Sequence, residues 1–182
     1  MATIAEWDGG SLPTIVGSTP AVVDGAMVFA EGSAANRASW TFGGVPQVTA
    51  RWYMTLPASW ASASWTFAEL AGSPLTARTN LAGSGSPGQA RLLNSAGTQI
   101  ANSSGSTVAL AGTYRIEVQA DRTAGTLRLA VFPLLSDTAL YDSGAVSTST
   151  GSTDPTTLRI GRVSAGVTVA DLTISRVKAV DS

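Results

Sequence analysis

Between Gly112 and Val177 the chain reads G-T-Y-R-I-E-V-Q-A-D-R-T-A-G-T-L-R-L-A-V-F and then, after a polar stretch, T-L-R-I-G-R and V-A-D-L-T-I-S-R-V. Apolar and polar residues alternate with a period of two, the spacing of strands with one face buried. Tyr114, Ile116, Val118 and Ala120 share one face, and Arg115, Glu117, Gln119 and Asp121 share the other. In the following segment Leu127, Leu129 and Val131 form the apolar set. Matching the two apolar faces requires an even-length turn centred on Thr123 and Ala124. This pairs Ala120 with Leu127, Val118 with Leu129 and Ile116 with Val131, because a slip of one residue would send the two sets to opposite faces. Further on, Val167 and Val169 set one parity and Leu172 and Ile174 the other, so a β-bulge is expected near Ala170 and Asp171.

The same pattern recurs along the chain. Strands are expected at about Thr3 to Trp7, Ala26 to Ala30, Arg37 to Phe42, Gln47 to Leu56, Ser62 to Leu70, Thr76 to Asn80 and Gly88 to Asn94. Others are expected at about Thr98 to Asn102, Tyr114 to Asp121, Thr126 to Phe132, Thr157 to Arg162 and Val167 to Val177. Gly, Pro, Ser or Asn closes nearly every one, and no window carries a capped helical period. Short strands spaced in this way predict an all-β, two-sheet antiparallel jelly-roll sandwich, with residues 1–182 as a single domain. Long connections at about Leu81 to Pro87 and Ser143 to Pro155 read as loops.

Alternation also assigns the aromatic residues. Val48, Ala50, Trp52, Met54 and Leu56 alternate with Thr49, Arg51, Tyr53 and Thr55, which places Trp52 in the core and Tyr53 on the outer face. Ala38, Trp40 and Phe42 read alike, as do Ala63, Trp65 and Phe67, so Trp40 and Trp65 are expected in the core as well. Trp60 differs, lying in the connection L-P-A-S-W-A-S. It is either an exposed contact residue or a plug at the end of the sandwich.

Several chemistries are excluded by composition. The chain has no His and no Cys, which removes Ser-His-Asp and Cys-His catalysis, His- or Cys-based zinc sites and any disulfide. Glu117 and Asp121 are the nearest approach to a paired-carboxylate hydrolase site. At positions i and i+4 they stand roughly 13 Å apart on an extended strand, whereas retaining glycosidases need about 5 to 5.5 Å. Glu117 is therefore expected to pair with Arg115 or Arg128. Asp137, Asp142 and Asp154, with Asn80, Asn94 and Asn102, form no D-x-D or D-x-N cluster for calcium and read as turn formers. The segment from Gly83 to Gly88 lacks the Lys-Ser/Thr and helix of a phosphate loop. No catalytic residue, metal ligand or cofactor is expected.

Charged residues make up 13% of the chain, and the net charge of -1 comes with arginines scattered along it, so nucleic acid is not an expected partner. Mean hydropathy is +0.19, but the apolar residues come in short alternating runs, and no segment approaches the ~18 apolar residues of a membrane span. The opening M-A-T-I-A-E-W-D-G-G has neither the basic nor the apolar part of a secretion signal, which implies a protein made without Sec export.

The W-x-F and A-R-W-Y-M segments, the G-T-Y-R-I-E-V strand with its T-L-R-L-A-V partner, and the closing T-L-R-I-G-R and A-D-L-T-I-S-R-V resemble concanavalin A-like (LamG-type) jelly-roll modules. They are similar in particular to versions found in structural proteins of tailed phages of actinobacteria, and a single lysine, Lys178, among ten arginines suits a GC-rich genome. The resemblance implies a non-enzymatic virion protein, a capsid decoration or minor tail or appendage component. Its expected partners are other virion proteins, its own copies and a host-surface glycan. An alternative reading is a lectin-like carbohydrate-binding module for bacterial surface glycans, with Trp60, Tyr53 or Tyr141 stacking on sugar rings.

Overall fold

The computed structural model describes residues 1–59, 64–72, 77–81, 88–105, 107–148, 153–166 and 168–181. Trp60, Ala63, Val167 and residues 82–87 lie outside the described residues. The first half of the chain supplies β1 (Thr3–Trp7), β2 (Thr14–Val16), β3 (Ala21–Val23), β4 (Ala26–Phe29), β5 (Asn36–Thr41), β6 (Gln47–Thr55), β7 (Trp65–Ala71) and β8 (Ala77–Leu81). The second half supplies β9 (Ala90–Leu93), β10 (Gln99–Asn102), β11 (Thr113–Asp121), β12 (Thr126–Pro133), β13 (Tyr141–Asp142), β14 (Val146–Ser147), β15 (Thr157–Arg162) and β16 (Leu172–Asp181).

These strands form two antiparallel sheets. The larger runs β13-β12-β11-β6-β16-β4-β3, with β1 added to β16 and β14 to β12, and the smaller runs β10-β9-β8-β7-β15-β5-β2. The chain is an all-β jelly-roll sandwich. Among the described residues no helix is long and apolar enough to cross a membrane. Four strands go beyond those expected from the sequence: β2, β3, β13 and β14. Each has two or three residues, too few to display a period, and all three residues of β3 are exposed.

The β11–β12 hairpin has the expected register, with Ala120 opposite Leu127, Val118 opposite Leu129 and Ile116 opposite Val131. Its turn is closed by Asp121, whose Oδ1 accepts the Ala124 N–H at 2.8 Å, and by Gly125 at φ 67, a left-handed conformation that glycine adopts without strain. The inward row of this hairpin and of β6 is buried from Val48 to Leu56 and from Tyr114 to Val131. Trp52 of the larger sheet packs against Phe67 of the smaller one, with centroids 6.4 Å apart, and Phe67 meets Trp65 edge-on at 6.0 Å. These rings join the two layers into one apolar core.

Trp52 and Trp65 are fully buried, as their parity predicts, but Trp40 is only half-buried. It and Phe42 lie at the end of β5, where they cover the core's margin instead of filling its centre. The bulge in the last strand is also displaced from its expected place. From Gly32 opposite Val169 to Phe29 opposite Leu172 the pairing keeps one offset, so no residue is inserted at Ala170 or Asp171. The ladder is merely interrupted there, with Asp171 Oδ1 accepting the Glu31 N–H at 2.8 Å. The insertion falls later: Ser175 pairs with Tyr53 and Lys178 with Arg51, so Arg176 and Val177 together oppose Trp52. Ile174 and Val177 both point inward as a result, and Arg176 takes φ 50.

A second bulge lies in β7. Thr66 pairs with Asn80 and Ala68 with Thr79, which leaves Phe67 as the extra residue. Phe67 and Ala68 are consequently both buried, and the parity of the strand changes so that Glu69 reaches the outer face beside Arg159.

Candidate functional site

On the outer face of the larger sheet, polar side chains stand in cross-strand rows. Arg115 lies opposite Tyr53 and Tyr53 opposite Ser175, while Glu117 lies opposite Arg51 and Arg51 opposite Lys178. Glu117 lies 3.3 Å from Arg115 and 3.8 Å from Arg51, and Arg115 Nη1 donates to Asp137 at 2.9 Å. The Arg115 guanidinium also sits 4.1 Å above the Phe132 ring, which it shields from water on this face. Arg128 grips Asp142 with two N–H groups, and Arg122 pairs with Asp154. Asp137, Asp142 and Asp154 thus each serve an arginine, and Asn94 Oδ1 accepts the N–H groups of Ala96 and Thr98 in a turn. Among the described residues no three acidic side chains gather as a metal would need.

The Arg128 contact holds the Asp142 carboxyl below the usual carboxylate range, helped by the Gly144 N–H. A lowered folded-state pKa stabilises the protein above the unfolded value of about 3.9 and loses that contribution as pH falls. Asp142→Asn is therefore expected to lower stability at pH 7 by at most about 1 kcal/mol, since the pair is partly solvated. The difference from the parent protein shrinks to nothing as pH is taken below about 4, and thermal unfolding from pH 7 to 3 measures it.

Beside this charge lattice the surface opens into two adjoining cavities. One, of about 300 Å³, is bounded by Glu6, Asp8, Arg51, Tyr53, Arg176 and Lys178. The other, of about 450 Å³, runs from Tyr53 and Arg176 to Asp24, Ala26, Leu134 and Leu135. Asp8, Tyr53 and Arg176 border both, so the pair forms one groove whose middle is an aromatic ring. Three parts of the topology converge there: the end of β1, the β3–β4 turn and the loop after β12. The Arg176 guanidinium lies 5.7 Å from the Tyr53 ring centre.

Arg176 reaches that position through a strained backbone. A non-glycine residue at φ 50 costs of order 1–3 kcal/mol, and such strain concentrates where a side chain is needed in a particular place. Arg176→Gly is expected to raise the unfolding free energy by up to about 1 kcal/mol by relieving this conformation. A chemical denaturation curve measures it, and a loss of more than 1 kcal/mol would show that the side chain is structural.

The three residues singled out as possible sugar contacts fare differently. Tyr53 stands on the outer face and is central to the groove. Tyr141 pairs with Val131 and so belongs to the inner face, half-buried at the sheet edge against the core, where burial and then Asp142 push its hydroxyl pKa up. Trp60 lies outside the described residues. Sequence reasoning did not find Arg176, although the three-residue step from Ile174 to Val177 carried the signal of a parity change. Asp8, Asp24 and Leu135 had no local signal, because only the strand order brings them to Tyr53.

No protein-family model matches the chain, and no curated protein sequence does. Solved structures do resemble it in fold. Botulinum neurotoxin type C, whose interaction with two ganglioside molecules is described, superposes with a TM-score of 0.64 at 8% identity, over 97% of this chain and 47% of the toxin chain. A sialidase from Trypanosoma rangeli gives 0.60 at 13% identity, over 97% of this chain and 30% of the enzyme. An engineered glycoside hydrolase of family GH43, with endo-xylanase and exo-arabinofuranosidase activity, gives 0.63 at 11% identity, over 100% of this chain and 41% of the hydrolase. The chain spans less than half the length of each. These likenesses establish the jelly-roll sandwich shared by lectin-like and glycosidase chains.

Proposed function

We propose that this chain is a non-enzymatic recognition module that binds a glycan in the groove centred on Tyr53. The observation that carries the reading is the ring itself. It stands on a sheet's outer face, between two cavities that together have the size of a ligand site, with charged groups close enough to fix sugar hydroxyls. Arg51, Arg176 and Lys178 supply donors there, and Glu6, Asp8 and Asp24 supply acceptors. Glu117 is held by two arginines, which suits a surface lattice better than acid–base work. The sandwich's likeness to chains that act on or bind carbohydrate is consistent with this role. A glycan array of bacterial surface polysaccharides, probed with the full chain, tests it. Binding to a defined subset is expected, and no signal on any of them would remove the proposal.

A second reading, compatible with the first, is that the module is a phage virion component, a capsid decoration or a minor tail or appendage protein. Exposed apolar groups of a kind that seat protein partners favour it: Leu135 is 96% exposed, and Leu134, Leu140, Val22 and Val23 are between 44% and 51%. Virion subunits, further copies of the chain and a host-surface glycan are its partners on this reading. Immunogold labelling of purified particles decides it, and absence of the protein from virions would reject it.

A further inference from the structure

We infer, given that the groove is a glycan site, that its glycan contains an N-acetylated hexosamine, whose acetamido group sits at the end bounded by Leu134 and Leu135. The two ends of the groove differ in chemistry. Arg51, Tyr53 and Thr55 follow one another along the outward row of β6, and Thr113, which borders the larger cavity, is paired with Thr55. The groove therefore follows the strand for about 13 Å, longer than one sugar ring. At the Arg51 end its walls are charged, with Glu6 and Lys178, whereas at the Thr113 end they include Ala26, Leu134 and Leu135.

Leu135 is 96% exposed and Leu134 44%, and of the exposed large apolar side chains described only these two border the groove. An ordered turn holds them there. The Ser136 N–H donates to the Pro133 carbonyl at 3.2 Å, the Thr138 N–H donates to Ser136 Oγ at 3.0 Å, and Arg115 Nη1 donates to Asp137. Apolar groups fixed in water at the edge of a ligand cavity are stabilised when an apolar part of the ligand covers them, and ring hydroxyls set against them would lose water without gaining a partner. Polar groups of both kinds adjoin the leucines. Asp24 borders the same cavity, and among the described residues its carboxylate has no hydrogen bond or ion pair. Arg176 borders it as well, and among the described residues no acceptor takes its N–H groups. An acetamido group has three parts, a methyl, an N–H donor and a carbonyl acceptor. The leucines cover the methyl, Asp24 accepts from the N–H and Arg176 donates to the carbonyl. A hydroxyl or an amino group has no apolar part, and the methyl of a deoxy sugar brings neither polar partner.

The test is an NMR titration of the full chain with N,N′,N″-triacetylchitotriose, beside cellotriose and the chitosan trimer. The three share one linkage and differ only in carrying an acetamido, a hydroxyl or an amino group at the same ring position. Every ring of the probe carries the acetamido group, so one reaches the leucines whichever way the chain lies. Saturable shifts are expected with the probe, at an affinity at least about tenfold above either control, the discrimination that an added apolar group gives in a matching site. Leu134→Ser brings the probe down to the level of cellotriose without weakening cellotriose. Leu135→Ser reduces the same preference, and it carries the test should Leu134→Ser fail to fold. No saturation by the acetylated trimer, equal affinity for either control, or a preference unchanged in both leucine variants would overturn the assignment. Should one of those results come with Tyr53-dependent binding of another glycan on the array, the groove stands as the glycan site without the acetamido end. Should no glycan depend on Tyr53, the groove itself is removed.

Discussion

Trp52→Ala is expected to lower the free energy of unfolding by about 3–5 kcal/mol, enough to consume a large part of the stability of an ordinary domain. Trp52 is wholly buried in the central strand of the larger sheet, opposite Ile116 on one side and in ring contact with Phe67 of the other sheet. Truncating it opens a cavity at the joint between layers, where two strands and a facing ring would have to move to fill it. The Trp52 Nε1–H is buried and has no hydrogen-bond partner among the described residues, so Trp52→Phe removes a buried donor along with part of the volume. That variant is expected to lose clearly less than the alanine variant. Urea denaturation of the two proteins beside the parent gives both differences, and an alanine variant within about 1 kcal/mol of the parent would contradict the core described here.

One residue later the expectation reverses. Tyr53→Ala leaves stability within about 1 kcal/mol of the parent, because the side chain is on the outer face and only partly covered. On the proposed function it weakens glycan binding by roughly 30-fold, the loss of about 2 kcal/mol typical of a central aromatic anchor. Tyr53→Phe retains the ring and most of the affinity. Arg176→Gly belongs with this pair: it is expected to stabilise the fold while weakening the ligand, since the guanidinium then no longer borders the ring. A residue kept in a strained conformation for binding gives that opposite pair of signs, and a structural residue does not. Isothermal titration calorimetry with a glycan identified on the array provides the affinities.

The fold was legible where alternation ran long enough to fix parity. The nine-residue runs of β6 and β11 settled which side chains entered the core, and the apolar positions of β12 settled the hairpin register. Parity failed where a bulge intervened without a glycine or proline to mark it. In β7 the insertion at Phe67 kept Trp65, Phe67, Ala68 and Leu70 all buried, a pattern that no strict alternation contains. In β16 the step from Ile174 to Val177 marked the true insertion, but the mixed parity of Val169 and Leu172 drew attention to the wrong place. Trp40 shows a different limit, since parity gives the face of a strand and not the distance from its end.

The groove was legible only through Tyr53. Its aromatic centre follows from outward parity in β6, but its walls come from Asp8, Asp24 and Leu135, far apart in the chain and assembled by strand order. Glu117 lies beside Arg115, one of the two arginines expected to pair with it, because neighbours on one outward row must neutralise each other at a low-charge surface.

The most direct measurement is an amide NMR titration of the full chain with the oligosaccharide that binds best on the array. Saturable shifts are expected, concentrated at Arg51 to Thr55, at Ser175 to Lys178 and at Asp8, with loss of the shifts in Tyr53→Ala. Shifts confined to another part of the sandwich, or saturation unaffected by Tyr53→Ala, would rule out the groove at Tyr53 as the glycan site.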